Sequence, residues 1–146
     1  MKSTWIVVAD STRARIFQQE GASAPLQECE GMVHPESALH ADDLVSDRQG
    51  RTFDSSGQGA RHAMEPKSSV KETHAKAFAR ELGARLESAR KRGEIDDLVL
   101  IAPPHFLGLL SAALSDVTAK LISSRLHKDL VRHSVEEIAA HLTDPG

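Results

Sequence analysis

The sequence predicts an α/β domain on a mixed sheet. An antiparallel β-meander opens it, and helices and strands then alternate. Three observations carry this reading. Trp5-Ile6-Val7-Val8-Ala9 and Leu98-Val99-Leu100-Ile101-Ala102 are continuous apolar runs, as expected of buried strands. Residues 72–92 carry apolar side chains at spacings of three and four, as an amphipathic helix does. Between meander and helix, residues 34–67 contain little that builds a core, so they read as a long polar loop.

The elements follow in order. The first apolar run is the first strand, and Asp10-Ser11-Thr12 has the chemistry of a turn. Arg13-Ala14-Arg15-Ile16-Phe17-Gln18 returns as a paired strand, residues 21–25 make a second turn, and residues 26–33 supply a third strand. The loop at 34–67 is expected to be mobile around Gly57. In the long helix Ala75, Phe78, Ala79, Leu82, Leu86 and Ala89 form one stripe, with Lys76, Arg80, Glu87 and Lys91 opposite. Ser68 or Ser69 suits its N-cap, and Gly93 its C′ position. After the second apolar run and Pro103-Pro104, residues 105–114 place Phe106, Leu107, Leu110 and Leu114 at helical spacing. Residues 119–126 read as a helix end and then a strand near 121–124. Ser134-Val135-Glu136-Glu137 is a capping box that opens a last helix through Leu142. This order is that of a ribonuclease H-like arrangement.

At 146 residues the chain is expected to form one domain, residues 1–146, with a real core. With one Trp, four Phe and no Tyr, aliphatic residues and alanine must fill it. The single Cys29 excludes an internal disulfide framework and a cysteine-based zinc site, and reads as a buried small hydrophobe. The N-terminal apolar run stops at Asp10, too short for a secretion signal, and no run approaches the length of a membrane span. A cytoplasmic location without membrane insertion is therefore expected.

Net charge is −3, but its distribution is uneven. From Arg48 to Arg92 there are 11 Lys/Arg against 5 Asp/Glu, a balance of +6; the rest carries 7 against 16, a balance of −9. A basic half suits an anionic partner such as a phosphate backbone, and it also suits a solvated helix face.

The central segment Ser56-Gly57-Gln58-Gly59-Ala60-Arg61-His62-Ala63-Met64-Glu65 is followed by the helix with Phe78, by Leu98-Val99-Leu100-Ile101-Ala102-Pro103-Pro104 and by Phe106-Leu107-Gly108. With Val8-Ala9-Asp10, Ala14-Arg15-Ile16-Phe17 and Lys128-Asp129-Leu130, this order resembles the bacterial "protein required for attachment to host cells" family across nearly the whole chain. That family in turn is similar to the middle domain of archaeal and eukaryotic peptide-chain release factors and of Pelota proteins. There, a Gly-Gly-Gln tripeptide lies on a loop before a long basic helix. Gly57 and Gln58 match its last two members, and Ser56 replaces the first glycine.

The resemblance implies a release-factor middle-domain-like fold, a ribosome or tRNA partner, and a role in translation or ribosome rescue. It implies Gly57 and Gln58 as catalytic residues for hydrolysis of the peptidyl-tRNA ester, with most other groups supplied by the ribosome. The chemistry is coherent: glycine lets the backbone approach a substrate, and a backbone N–H beside a glutamine amide can stabilise a developing oxyanion. Arg48, Arg51, Arg61, His62, Lys67, Lys71, Lys76 and Arg80 would contact nucleic acid. Ser-Gly-Gln-Gly also suits a plain polar turn. No cofactor is expected.

Two other function classes stay open on the sequence. A metal-dependent nuclease would use Asp10 at the end of the first strand with Asp42, Asp43, Asp96 or Asp97, although Asp10 also sits where a hairpin wants an aspartate. A protein-interaction module would affect attachment indirectly. No His pair has metal-ligand spacing on a secure helix; His34, His40 and His62 fall in the long loop, and His105 suits a helix start.

Overall fold

The computed structural model describes residues 2–21, 23–34 and 66–143. Its elements are β1 (Ser3–Ala9), β2 (Arg13–Glu20), β3 (Gln27–Val33), α1 (Pro66–Lys91), β4 (Asp97–Ala102), α2 (Pro104–Ala113), α3 (Asp116–Ala119), β5 (Ile122–His127) and α4 (Val135–Thr143). The strand order is β3-β2-β1-β4-β5. β1–β2 and β2–β3 pair antiparallel, while β1–β4 and β4–β5 pair parallel. This is the mixed sheet predicted, a meander followed by alternating helices and strands.

The two apolar runs lie side by side at the centre because both of their faces need cover. Trp5 to Ala9 and Leu98 to Ala102 are all buried. On one face Trp5, Val7, Ala14, Ile16, Leu98 and Leu100 pack under Phe78, Leu82 and Leu86 of α1 and Phe106, Leu107 and Leu110 of α2. On the other, Ile6, Val8, Phe17, Val99 and Ile101 meet Leu130, Val131 and Ile138, the last from α4. Among the described residues no helix is long and apolar enough to cross a membrane.

α1 buries the predicted stripe, Ala75, Phe78, Ala79, Leu82, Leu86 and Ala89. It begins six residues before the expected start, at Pro66. Proline is at home in the first turn, where its missing N–H has no partner to lose, and nothing between Ser68 and Glu72 breaks a helix. Ser68 and Ser69 are therefore helical rather than capping. The far end follows expectation: Gly93 has φ 74°, its N–H donates to Arg90 O at 2.9 Å, and Glu94 N donates to Ala89 O at 3.0 Å, a Schellman closure. α4 opens with the predicted capping box, Glu137 N donating to Ser134 Oγ and Ser134 N to Glu137 Oε1, both at 3.1 Å.

β3 departs from expectation in one informative way. The register slips by one residue between Ile16 and Phe17, so Ile16 faces Glu30 and Phe17 faces Glu28. Cys29 is the extra residue of this bulge, and it is exposed rather than buried. Without the slip Glu28 and Glu30 would share a face; with it they point to opposite faces. Each meets an arginine from a different layer. Arg15 grips Glu28 with Nε at 3.0 Å and Nη2 at 2.9 Å. Arg85 of α1 grips Glu30 with Nε at 3.0 Å and Nη2 at 2.8 Å, and its guanidinium lies 5.3 Å from the Trp5 ring centroid.

Candidate functional site

Gly57, Gln58, Arg48, Arg51, Arg61 and His62 lie outside the described residues, as do Asp42 and Asp43. Lys67 lies in the first turn of α1, and Lys71, Lys76 and Arg80 follow on the same helix, all three exposed. A helix turns about 100° per residue. Lys76, Arg80 and Lys91 therefore fall within about 60° of one another, forming one outward ridge. Lys67 and Lys71 lie about 120° or more round the helix from that ridge. The structure thus splits the predicted cations into two groups. Lys76, Arg80 and Lys91 make no ion pair among the described residues.

Glu87 falls on the same angular sector, yet it is not a solvent-facing residue. Its carboxylate accepts from Ser115 N at 2.7 Å, from Ser115 Oγ at 3.1 Å and from Arg90 Nη2 at 3.1 Å. Burial pushes its carboxyl up, but the hydrogen bonds from the Ser115 backbone, Thr118, Arg90 and the Ser115 hydroxyl outweigh this and bring it down to about 2. Its negative charge is spent on the α1–α3 joint, so the ridge faces solvent with positive charge.

His34, the residue before the 35–65 segment, lies beside the β1–β2 turn at the C-terminal end of β1, on the edge where α/β sheets commonly place ligands. His34 N donates to Thr12 O at 3.0 Å, in the β1–β2 turn. The buried His34 ring lies 5.7 Å from His74 and 5.6 Å from Phe78, and Phe78 stacks on Phe106 at 5.9 Å. Beside them His105 Nε2 lies 2.7 Å from Glu72 Oε1. His105 is the second residue of α2, as expected of a helix start. His34 pairs with His74, which the sequence reading passed over. The signal was present: His74 stands four residues before Phe78 and extends the apolar stripe by one turn.

Among the described residues the carboxylates proposed for metal chemistry, Asp10, Asp96 and Asp97, are not together. Asp10 Oδ1 accepts from Thr12 N at 2.9 Å, Thr12 Oγ1 at 2.9 Å and Arg13 N at 3.0 Å, so it closes the β1–β2 turn. Asp97 pairs with Thr4 at the opposite end of β1, where its Oδ2 accepts from Ser123 Oγ at 3.0 Å. Asp96 Oδ2 accepts from Ser3 N at 2.9 Å. The length of a strand separates them from Asp10. Among the described residues no group of three His, Cys, Asp or Glu side chains is placed to hold a metal ion.

Among solved structures the chain is similar to an archaeal translation termination factor, with a TM-score of 0.46 and 13% identity, over 88% of this chain and 31% of that one. Among curated proteins it is 30% identical over 76 residues to an uncharacterized protein of Rickettsia prowazekii (strain Madrid E), covering 51% of each. The chain thus spans about half the length of that relative. The family model described as "Protein required for attachment to host cells" matches residues 5–142. With all but its extreme ends matched, the chain belongs to the family of proteins required for attachment to host cells.

Proposed function

We propose that this protein docks on ribosomal RNA or tRNA through the outward ridge of α1, and acts in translation or ribosome rescue through Ser56-Gly57-Gln58-Gly59. The observation that carries the reading is the ridge itself, Lys76, Arg80 and Lys91; beside it, among the described residues, Glu87 is held by Ser115 and Arg90, and Glu72 lies 2.7 Å from His105 Nε2. The helix begins one residue after the 35–65 segment, so cations that bind a phosphate backbone would position that segment on the RNA. Gln58 would then supply the amide, and Gly57 the close backbone approach, at a peptidyl-tRNA ester.

Co-sedimentation with ribosomes tests the docking. If the three ridge cations each neutralise one phosphate of single-stranded RNA, the slope of log affinity against log salt is about −2. Raising salt from about 50 to 200 mM then weakens binding about twentyfold, and Lys76→Gln/Arg80→Gln/Lys91→Gln removes most of that slope. Absence of enrichment at low salt sinks the docking reading, as does a triple variant that sediments like the parent. Gln58→Ala separates catalysis from docking. It is expected to abolish peptidyl-tRNA release while leaving sedimentation unchanged.

A further inference from the structure

A cavity of about 470 Å³ opens between β2, β3 and the loop before α4, lined among others by Arg13, Arg15, Gly31, Val33, Val131 and Arg132. It lies on the α4 side of the sheet, because Arg15 stacks 5.1 Å from the ring centroid of Phe17, a core residue of that face. The ridge of α1 is on the other side, so this site stands independently of the RNA reading.

The three arginines differ in what they have left to give. Arg15 is fully committed: besides its fork on Glu28, Nη1 donates to Val131 O at 3.0 Å and to His133 O at 2.7 Å. It ties the loop before α4 to the sheet and forms a fixed, charge-balanced wall. Arg13 is different. Its Nε is shut off from solvent and has no hydrogen-bond partner among the described residues, so a ligand would meet Arg13 through its terminal Nη groups. Arg132 is exposed and makes no ion pair among the described residues. Among the described residues no carboxylate lines the cavity. Two unspent guanidinium groups at one cavity are a match for an oxyanion, which takes such forks bidentately. Val33, 55% exposed on the adjoining edge, offers an apolar surface beside them. The volume exceeds what a bare inorganic anion fills and falls in the range of small-ligand sites.

We propose that this cavity binds the phosphate of a nucleotide-sized small molecule, with Arg13 and Arg132 holding the phosphate and Val33 covering the apolar part. Gly31 keeps the floor open. It sits on the same face as Arg15, opposite it in the ladder, and a Cβ built there meets only Ala14 O, at 3.9 Å. A side chain can therefore start there without a Cβ clash, and Gly31→Val would occupy part of the cavity.

The test is a titration of the full chain, followed by calorimetry and by amide NMR shifts, with adenosine 5′-monophosphate, adenosine and inorganic phosphate at about 50 mM salt. The nucleotide is expected to bind saturably, and adenosine about tenfold more weakly or worse, since a charge-assisted hydrogen bond is at stake. Arg132→Gln and Arg13→Gln should each weaken the nucleotide about tenfold, and Gly31→Val should abolish it. Failure of both nucleotide and phosphate to bind at millimolar concentration overturns the proposal. So does nucleotide binding that survives Arg132→Gln and Gly31→Val in folded protein, whatever becomes of the Arg13 variant. A short single-stranded RNA that binds where the mononucleotide does not, and is lost in the same variants, assigns the phosphate to a polynucleotide and overturns the small-molecule assignment.

Discussion

Glu87 is the residue whose replacement the structure predicts most sharply. Its carboxylate joins α1 to the start of α3 by taking the Ser115 N–H and hydroxyl, with Arg90 closing the other side. A carboxyl brought from 4.5 to about 2 in the folded state corresponds to about 3 kcal/mol of folding free energy. The Ser115 hydrogen bonds lie at the exposed edge of the joint, so solvent screening makes about 3 kcal/mol an upper value. The sign follows from the direction of the shift. A depressed folded-state value stabilises above the unfolded value of 4.5, and the contribution is lost as pH falls from there toward about 2. At pH 3 about 2 kcal/mol of it is gone. Glu87→Gln keeps the shape but has no proton to exchange. The assay is urea denaturation of parent and variant at pH 7 and pH 3. The parent should lead by up to about 3 kcal/mol at pH 7, and that lead should shrink by about 2 kcal/mol at pH 3. A gap that does not change with pH would show that Glu87 acts by packing alone and refute the charge argument.

Two further substitutions address packing and the turn. Gly83→Val should cost about 1–3 kcal/mol in thermal or urea unfolding, because a Cβ at Gly83 already meets Ala113 Cβ at 3.1 Å and Ala113 O at 3.2 Å across the α1–α2 contact. Asp10→Ala should lower stability by about 1–2 kcal/mol, since three donors lose Oδ1, whereas Asp10→Asn keeps an acceptor there and should stay close to the parent. If instead Asp10→Asn removed a divalent-metal-dependent nuclease activity at unchanged stability, the turn assignment would be the one to abandon.

The parts of the fold legible in the sequence are those written in short-range patterns. The runs at Trp5 to Ala9 and Leu98 to Ala102 announce central strands because both faces are apolar. The stripe from Ala75 to Ala89 announces α1, and Ser134 with Glu137 the cap of α4. What was not legible depends on long-range partners. Glu87 lies on the polar side of its helix by spacing, and only the arrival of Ser115, 28 residues on, makes it internal. Cys29 has a buried residue's chemistry, but a one-residue slip against Phe17 turns it outward. In the candidate site, helical spacing alone would have separated Lys71 from Lys76 and Arg80. The His34–His74 contact, by contrast, joins positions on either side of the 35–65 segment and needed the fold. Asp10 and Asp97 looked interchangeable as carboxylates until the parallel pairing of β1 with β4 put them at opposite ends.

The slip at Cys29 also bears on how this chain keeps to itself. β3 is the outer strand of the meander, and a regular outer strand offers its free N–H and C=O groups to any passing strand, a second copy included. The bulge interrupts that ladder near its middle, and the carboxylates of Glu28 and Glu30 stand on both sides of the interruption. An incoming strand would find no unbroken row to zip onto and would have to bury an acid whichever face it chose. One inserted residue thus gives the sheet a terminus as well as two anchors, and its deletion is expected to make the protein sticky before it makes it unstable.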